Sequence, residues 1–200
     1  MSDDTVTLTL NGQEVEARRD ETIWQIAHRL GIEIPHLCYS PEPGYREDGN
    51  CRACMVEVEG ERVLAASCQR RVSEGMKVNS ISDRAKSARK LVFELLMADQ
   101  PARETAHDPD SKFWQWSDKI GLEESRFPAR ETWSPDVSHS AMAVNLDACI
   151  NCTLCVRACR EVQSNDVIGM AYRGHGAKVV FDFDDPMGES TCVACGECVQ

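Results

Sequence analysis

The stretch PHLCYSPEPGYREDGNCRAC, residues 35–54, has neither a helical nor an alternating period, is punctuated by three prolines and two glycines, and carries three cysteines. It reads as a long loop that gathers thiols, and its flanks say how the loop is held. Before it, TVTLTL and EVEA alternate apolar and polar residues on either side of Asn11-Gly12, the dipeptide suited to a tight type I′ turn, which predicts a β-hairpin. A helix is expected next: Asp20 is a candidate N-cap, Ile23, Ile26, Ala27 and Leu30 recur on one face, and Gly31 is placed to end it. After the loop, MVEVEGERVLAASC predicts a second hairpin around Glu59-Gly60, and MKVNSI a last short strand.

Beyond that unit, Ala88, Leu91, Val92, Leu95 and Leu96 form a stripe at helical spacing that begins after Ser82-Asp83 and ends before Pro101. Residues 100–141 are irregular, with prolines at 101, 109, 128 and 135 and tryptophans at 114, 116 and 133. They predict a packed linker with a short helix near residues 113–120, the tryptophans serving as packing residues. Residues 144–200 hold two cysteine runs, CINCTLCVRAC and CVACGECV, which flank strands expected at residues 167–172 and 178–183 and form an imperfect internal repeat.

Composition narrows the function. Acidic residues outnumber Lys and Arg 33 to 22, a net charge of -11 that argues against nucleic acid as a partner, since phosphate binding needs clustered cations. The longest apolar stretch, LVFELLMA, falls far short of the roughly 20 residues a bilayer requires, and the polar opening lacks the layout of a signal peptide. A soluble, cytoplasmic chain is expected. In a reducing compartment, eleven grouped cysteines point to metal ligation or redox chemistry rather than to disulfides.

Cys38, Cys51, Cys54 and Cys68 have 12, 2 and 13 residues between neighbours. A 2Fe-2S cluster needs four thiolates converging on two irons, and a Gly-rich loop, here with Gly44 and Gly49, lets backbone N–H groups approach the sulfurs. The first gap is longer than in the plant-type spacing. Zinc on four cysteines is the competing reading, which the spacings alone do not exclude. The surrounding hairpin, helix and hairpin of β-grasp type favour iron, because that scaffold presents a long loop beside a helix.

Cys149, Cys152, Cys155 and Cys159 match C-x2-C-x2-C-x3-C, and Cys192, Cys195 and Cys198 begin the same motif again. Such spacing curls one loop around three corners of a 4Fe-4S cubane, while the fourth cysteine ligates the other cluster. The expected assignment is therefore crossed. Cys159 completes the site of Cys192, Cys195 and Cys198, and Cys149, Cys152 and Cys155 need a cysteine beyond Gln200, so the domain is expected to be cut off before its last cysteine. Arg157 and Arg160 are read as a solvated helix face, with hydrogen bonding to cluster sulfurs as the alternative. His28, His36, His139 and His175 are read as ordinary structural residues.

The segments HLCYSPEPGYREDGNCRACMVEVEG with Cys68, SARKLVFELLMADQP, and NLDACINCTLCVRACREV with CVACGECV resemble the N-terminal iron–sulfur region of the complex I large-subunit superfamily. That superfamily includes the alpha subunits of NAD-dependent molybdenum or tungsten formate dehydrogenases and the diaphorase subunit of soluble NAD-linked hydrogenases. Many members carry a histidine and three cysteines after the connector helix that hold an extra cluster. Here His107 occurs, but no cysteine lies between Cys68 and Cys149. That departure resembles a subset of formate dehydrogenase alpha subunits.

The resemblance implies an α+β chain. Residues 1–80 would form a β-grasp 2Fe-2S ferredoxin-like domain, residues 81–141 a helical connector and linker, and residues 142–200 a bacterial-type two-4Fe-4S ferredoxin-like domain. It implies an electron-transfer module of a formate-oxidising enzyme, with no catalytic residue among these 200. The full protein would hold a further 4Fe-4S cluster and a molybdenum or tungsten bis-pterin. FMN and NAD would sit in flavin- and NAD-binding iron–sulfur partner subunits. A hydrogenase or complex I diaphorase-type subunit is the alternative within the superfamily, and a zinc-stapled interaction module the alternative outside it.

Overall fold

The computed structural model describes residues 5–200. The first hairpin pairs β1 (Thr5–Leu10) with β2 (Gln13–Arg18) in the register Thr5↔Arg18 to Leu10↔Gln13. Its turn has Asn11 at φ 52° and Gly12 at φ 85°, the two positive angles a type I′ turn demands. Alternation does its work here: Val6, Leu8, Leu10, Val15 and Ala17 are buried and their neighbours face outward.

Helix α1 (Ile23–Arg29) is capped by Thr22, not by Asp20. Thr22 Oγ1 accepts from Gln25 N–H and the Gln25 side chain accepts from Thr22 N–H, a reciprocal capping box that leaves Asp20 outside the helix as a partner of Arg18. Gly31 follows the helix at φ 71°, as its position predicts. Strands β3 (Met55–Val58), β4 (Ala65–Ala66) and β5 (Lys77–Asn79) complete a sheet of order β2-β1-β5-β3-β4, in which β5 runs parallel to β1 and antiparallel to β3. Ile23, Ile26 and Ala27 of α1 share one apolar cluster with Leu8, Leu10, Val56 and Val78 of the sheet.

Helix α2 (Asp83–Ala98) starts at its Ser82 cap, but its phase differs from the expected stripe. Ala85, Arg89, Phe93 and Met97 face inward, four residues apart, whereas Leu91 and Leu95 are 41% and 48% exposed. The reason is Arg89: its guanidinium donates to the carbonyls of Met55 at 2.8 Å and Ser80 at 2.7 Å, so an inward position is held by a charged residue that apolar periodicity does not count. Helix α3 (Lys112–Ile120) ends on left-handed Gly121 and packs Phe113 and Trp114 against Phe93, Met97 and Leu37.

In the C-terminal segment, α4 (Leu154–Arg157) runs into one wide π-turn, Ala158–Val162. The strands expected next form a hairpin, β6 (Ile168–Ala171) with β7 (Lys178–Phe181), shorter than expected by two residues each. Its apolar cluster gathers Val156, Val167, Ile168, Val179 and Phe181 beside Cys159. Among the described residues no helix is long and apolar enough to cross a membrane.

Candidate metal centres

The loop of residues 38–54 follows α1 and runs into β3, and it brings Cys38, Cys51 and Cys54 together with Cys68. Cys38, Cys54 and Cys68 are 1% exposed and Cys51 is 8% exposed. Cys54 Sγ lies 3.4 Å from Cys68 Sγ, and Cys51 N–H donates to Cys38 Sγ at 3.5 Å. Gly44 and Gly49 turn the loop at φ 91° and 64°, left-handed angles that favour glycine, and a Cβ on Gly49 would come within 3.1 Å of Gln69 Oε1, which would have to give way.

The thiols do not titrate alike. Hydrogen bonds from the thiols of Cys51 and Cys68 and from loop N–H groups hold Cys38 down to about 2, while donating those hydrogen bonds, with burial, pushes Cys51 and Cys68 up. Cys54 is lowered to about 7 by the Cys68 thiol. Four thiols buried this closely cannot all ionise without a positive charge among them, which iron bound there would supply. Among the described residues no three His, Cys, Asp or Glu side chains close to single-ion spacing. A two-iron cluster asks for something else, two thiolates on each iron with the bridging sulfides between, and the four buried thiols fit that demand.

The second and third candidate sites repeat one backbone. Asn151 N–H donates to Cys149 Sγ and Ala194 N–H to Cys192 Sγ, both at 3.4 Å, and Asn151 and Ala194 occupy the same left-handed conformation at φ 53° and 55°. Thr153 and Gly196, each directly after the second cysteine of its run, are left-handed too. The repeat legible in the sequence is thus a repeat of conformation. Cys159, Cys192, Cys195 and Cys198 line one cavity with Met142 and Val167, and Val167 N–H donates to Cys159 Sγ at 3.3 Å. Burial pushes Cys155 up to about 12, helped by the nearby charges of Cys152, Cys149 and Cys198, and Cys152 up as well, where Cys149 and Cys38 add to the effect. Exposure grows toward the C-terminal run, in which Cys195 faces solvent.

Arg157 departs from the solvated face expected of it. It is 1% exposed and its hydrogen bonds go to backbone carbonyls rather than to sulfurs, whereas Arg160 lies on the surface paired with Asp166 at 2.5 Å. Sequence reasoning missed Arg89 and Asp48 beside these sites and gave Arg157 the wrong surroundings; the Asp48 carboxylate lies 3.2 Å from Arg157 Nε. The one signal available was Arg89 falling four residues from Ala85 and Phe93.

His28 stacks on Trp24 at 4.8 Å and His36 meets the same ring at 4.6 Å. His175 Nε2 is 3.0 Å from Asp99, and His139 accepts from Ala141 N–H. His107 borders a cavity of about 220 Å³ with Leu37, Lys112, Trp114 and Ile150, none of them a thiol.

Residues 3–83 match the family described as a 2Fe-2S iron-sulfur cluster binding domain. Over nearly the whole chain there is similarity to the NADP-reducing hydrogenase subunit HndD of Solidesulfovibrio fructosivorans, 33% identical over 201 residues, covering 97% of this chain and 34% of that protein. YrhE of Bacillus subtilis, provisionally named a formate dehydrogenase, is 28% identical over 194 residues, covering 94% of this chain and 19% of that protein. A crystal structure of an NAD+-reducing [NiFe]-hydrogenase in its H2-reduced state contains a chain that superposes with a TM-score of 0.82 at 26% identity, covering 94% of this chain and 80% of that one. The chain thus spans about a third or less of the length of these two curated relatives.

Proposed function

We propose that this chain, which carries a 2Fe-2S domain and has homologues among oxidoreductase subunits, is an electron-transfer module with one 2Fe-2S and two 4Fe-4S clusters. Cys38, Cys51, Cys54 and Cys68 hold the first, Cys149, Cys152 and Cys155 belong to the second, and Cys159, Cys192, Cys195 and Cys198 hold the third. Bound there, the clusters supply one-electron redox chemistry; the chain supplies spacing, burial and hydrogen bonds that set their potentials. The observation that carries the reading is the convergence of Cys159 with the three cysteines of the following run on one cavity, the crossed pattern that a two-cluster fold needs.

The finer reading is that the module belongs to a cytoplasmic NAD-dependent formate dehydrogenase. Its catalytic portion would hold molybdenum or tungsten on a bis-pterin and a further 4Fe-4S cluster, with flavin- and NAD-binding partner subunits. The absence of cysteine between Cys68 and Cys149 supports it, since a hydrogenase-type subunit would be expected to use that segment for a cluster. The similarity to HndD and to the hydrogenase structure favours a diaphorase-type subunit as the second reading.

Anaerobically purified protein tests the module: iron with acid-labile sulfide and two classes of reduced EPR signal are expected, and zinc without sulfide overturns it. The finer question is settled by tagging this chain in its native cells and assaying the complex that it retrieves. NAD reduction driven by formate supports the first reading, and reduction driven by H2 supports the second.

A further inference from the structure

The contact between the 2Fe-2S site and the following cysteine run is centred on a single side chain. Arg157 Nη2 donates to the carbonyl of Cys38 at 2.6 Å and lies 3.3 Å from that of Cys152, while Nη1 donates to the carbonyl of Arg46 at 2.5 Å. One guanidinium therefore holds the backbone of a ligand from the first site and of a ligand from the second. Its Nε stands 3.2 Å from Asp48 Oδ2, an ion-pair contact outside hydrogen-bond alignment. The same Asp48 carboxylate accepts from Thr153 Oγ1 at 2.8 Å, and Asn50 Nδ2 donates to that hydroxyl at 2.8 Å. Arg46 with Glu161 at 2.7 Å and Tyr45 with Glu197 at 3.1 Å extend the seam at its rim. Cys152 packs against the apolar cluster that contains Cys38 and Cys51.

Burying a guanidinium to this depth costs several kcal/mol unless its donors and charge are met. Here three carbonyls take the Nη donors and one carboxylate meets the charge, and all but one of these groups come from the 38–54 loop. A lysine ammonium is a point charge and cannot span two carbonyls as a planar fork does. Rim pairs such as Arg46 with Glu161 are exposed and contribute little by comparison.

We propose that Arg157 is the positioning residue that fixes the separation of the 2Fe-2S cluster from the 4Fe-4S cluster of Cys149, Cys152 and Cys155, and hence the electron exchange between them. The proposal rests on the cluster assignment above. It goes beyond that assignment in giving the fixed separation to a residue that ligates neither cluster.

The test uses the iron-loaded full chain with both clusters reduced, and reads the magnetic interaction between them as splitting and enhanced relaxation of the 2Fe-2S EPR signal. Wild-type protein is expected to show one defined interaction. In Arg157→Lys and Arg157→Gln each cluster should keep its own g-values and iron, while the single defined splitting is lost to a spread of values. Arg160→Gln, on the exposed face, should leave the splitting intact. An unchanged splitting in both Arg157 variants overturns the proposal. So does loss of both clusters in both variants, which would make Arg157 a general folding residue. A wild-type protein lacking two distinct cluster signals would instead defeat the underlying assignment.

Discussion

Helix α2 offers a direct test of the architecture, because two of its side chains exchange roles between the apolar periodicity and the structure. Phe93 is 0% exposed and stacks on Phe113 with ring centroids 5.8 Å apart, in the cluster that backs Cys38 and Cys51. Truncating a buried phenylalanine to alanine costs about 3–5 kcal/mol through lost transfer energy and the cavity left behind. For a chain of this size each kcal/mol lowers Tm by about 2–4 °C, so Phe93→Ala should fall by about 6–20 °C. Leu95 belongs to the expected stripe yet is 48% exposed, and Leu95→Ala should stay within about 0.5 kcal/mol. Were the stripe the true core face, the leucine would cost about 2–5 kcal/mol instead. Thermal melts of the iron-loaded variants at one scan rate, followed by circular dichroism and by loss of visible cluster absorption, compare the two. A Leu95→Ala midpoint as low as that of Phe93→Ala would refute this helix phase.

Replacing Cys54 with serine should abolish or strongly shift the 2Fe-2S EPR signal and leave the 4Fe-4S signals in place, because no further cysteine lies among the first 148 residues to replace it. His107→Ala should leave iron content and cluster spectra unchanged, since no thiol lines the cavity beside it; loss of a cluster would show that it is a ligand. Gly49→Ala should lower 2Fe-2S occupancy on iron loading. It places a side chain at φ 64° and within 3.1 Å of Gln69, and full occupancy would show that the loop adapts.

The first hairpin, the bounds of α2, the short helix at Phe113 and the β6–β7 hairpin were all legible from local signals such as the Asn-Gly turn and the apolar patterning. The cysteine spacing was legible for the same reason, and Asn151 and Ala194 show the repeat reaching down to backbone angles. What the sequence hid is long-range. Thr22 displaced Asp20 because Gln25 can reciprocate from inside the helix and nothing does so for Asp20. Arg157 looked like a surface residue since its acceptors, the carbonyls of Cys38 and Arg46, lie more than a hundred positions away. Main-chain acceptors leave no residue-type signature, so no pattern of side chains could announce them.

The second buried cation, Arg89, ties the fold to the chemistry. It is 7% exposed, burial lowers its pKa, and the opposing charge that favours its protonated form is the Cys54 thiolate. In an acidic chain it has no carboxylate partner among the described residues; its counter-charge is the site itself. Adding an electron to a four-thiolate cluster makes that site more negative, so Arg89 favours the reduced state. At an effective dielectric of about 20, unit charges on the order of 10 Å apart interact by about 1.7 kcal/mol. With about 59 mV for each tenfold change in a one-electron couple, Arg89→Met should lower the 2Fe-2S potential by about 70 mV in an EPR-monitored titration. In the iron-free protein the same substitution leaves the carbonyls of Met55 and Ser80 without their donors, a cost of about 1–3 kcal/mol for each. A potential that stays put or rises would show that Arg89 serves these carbonyls alone.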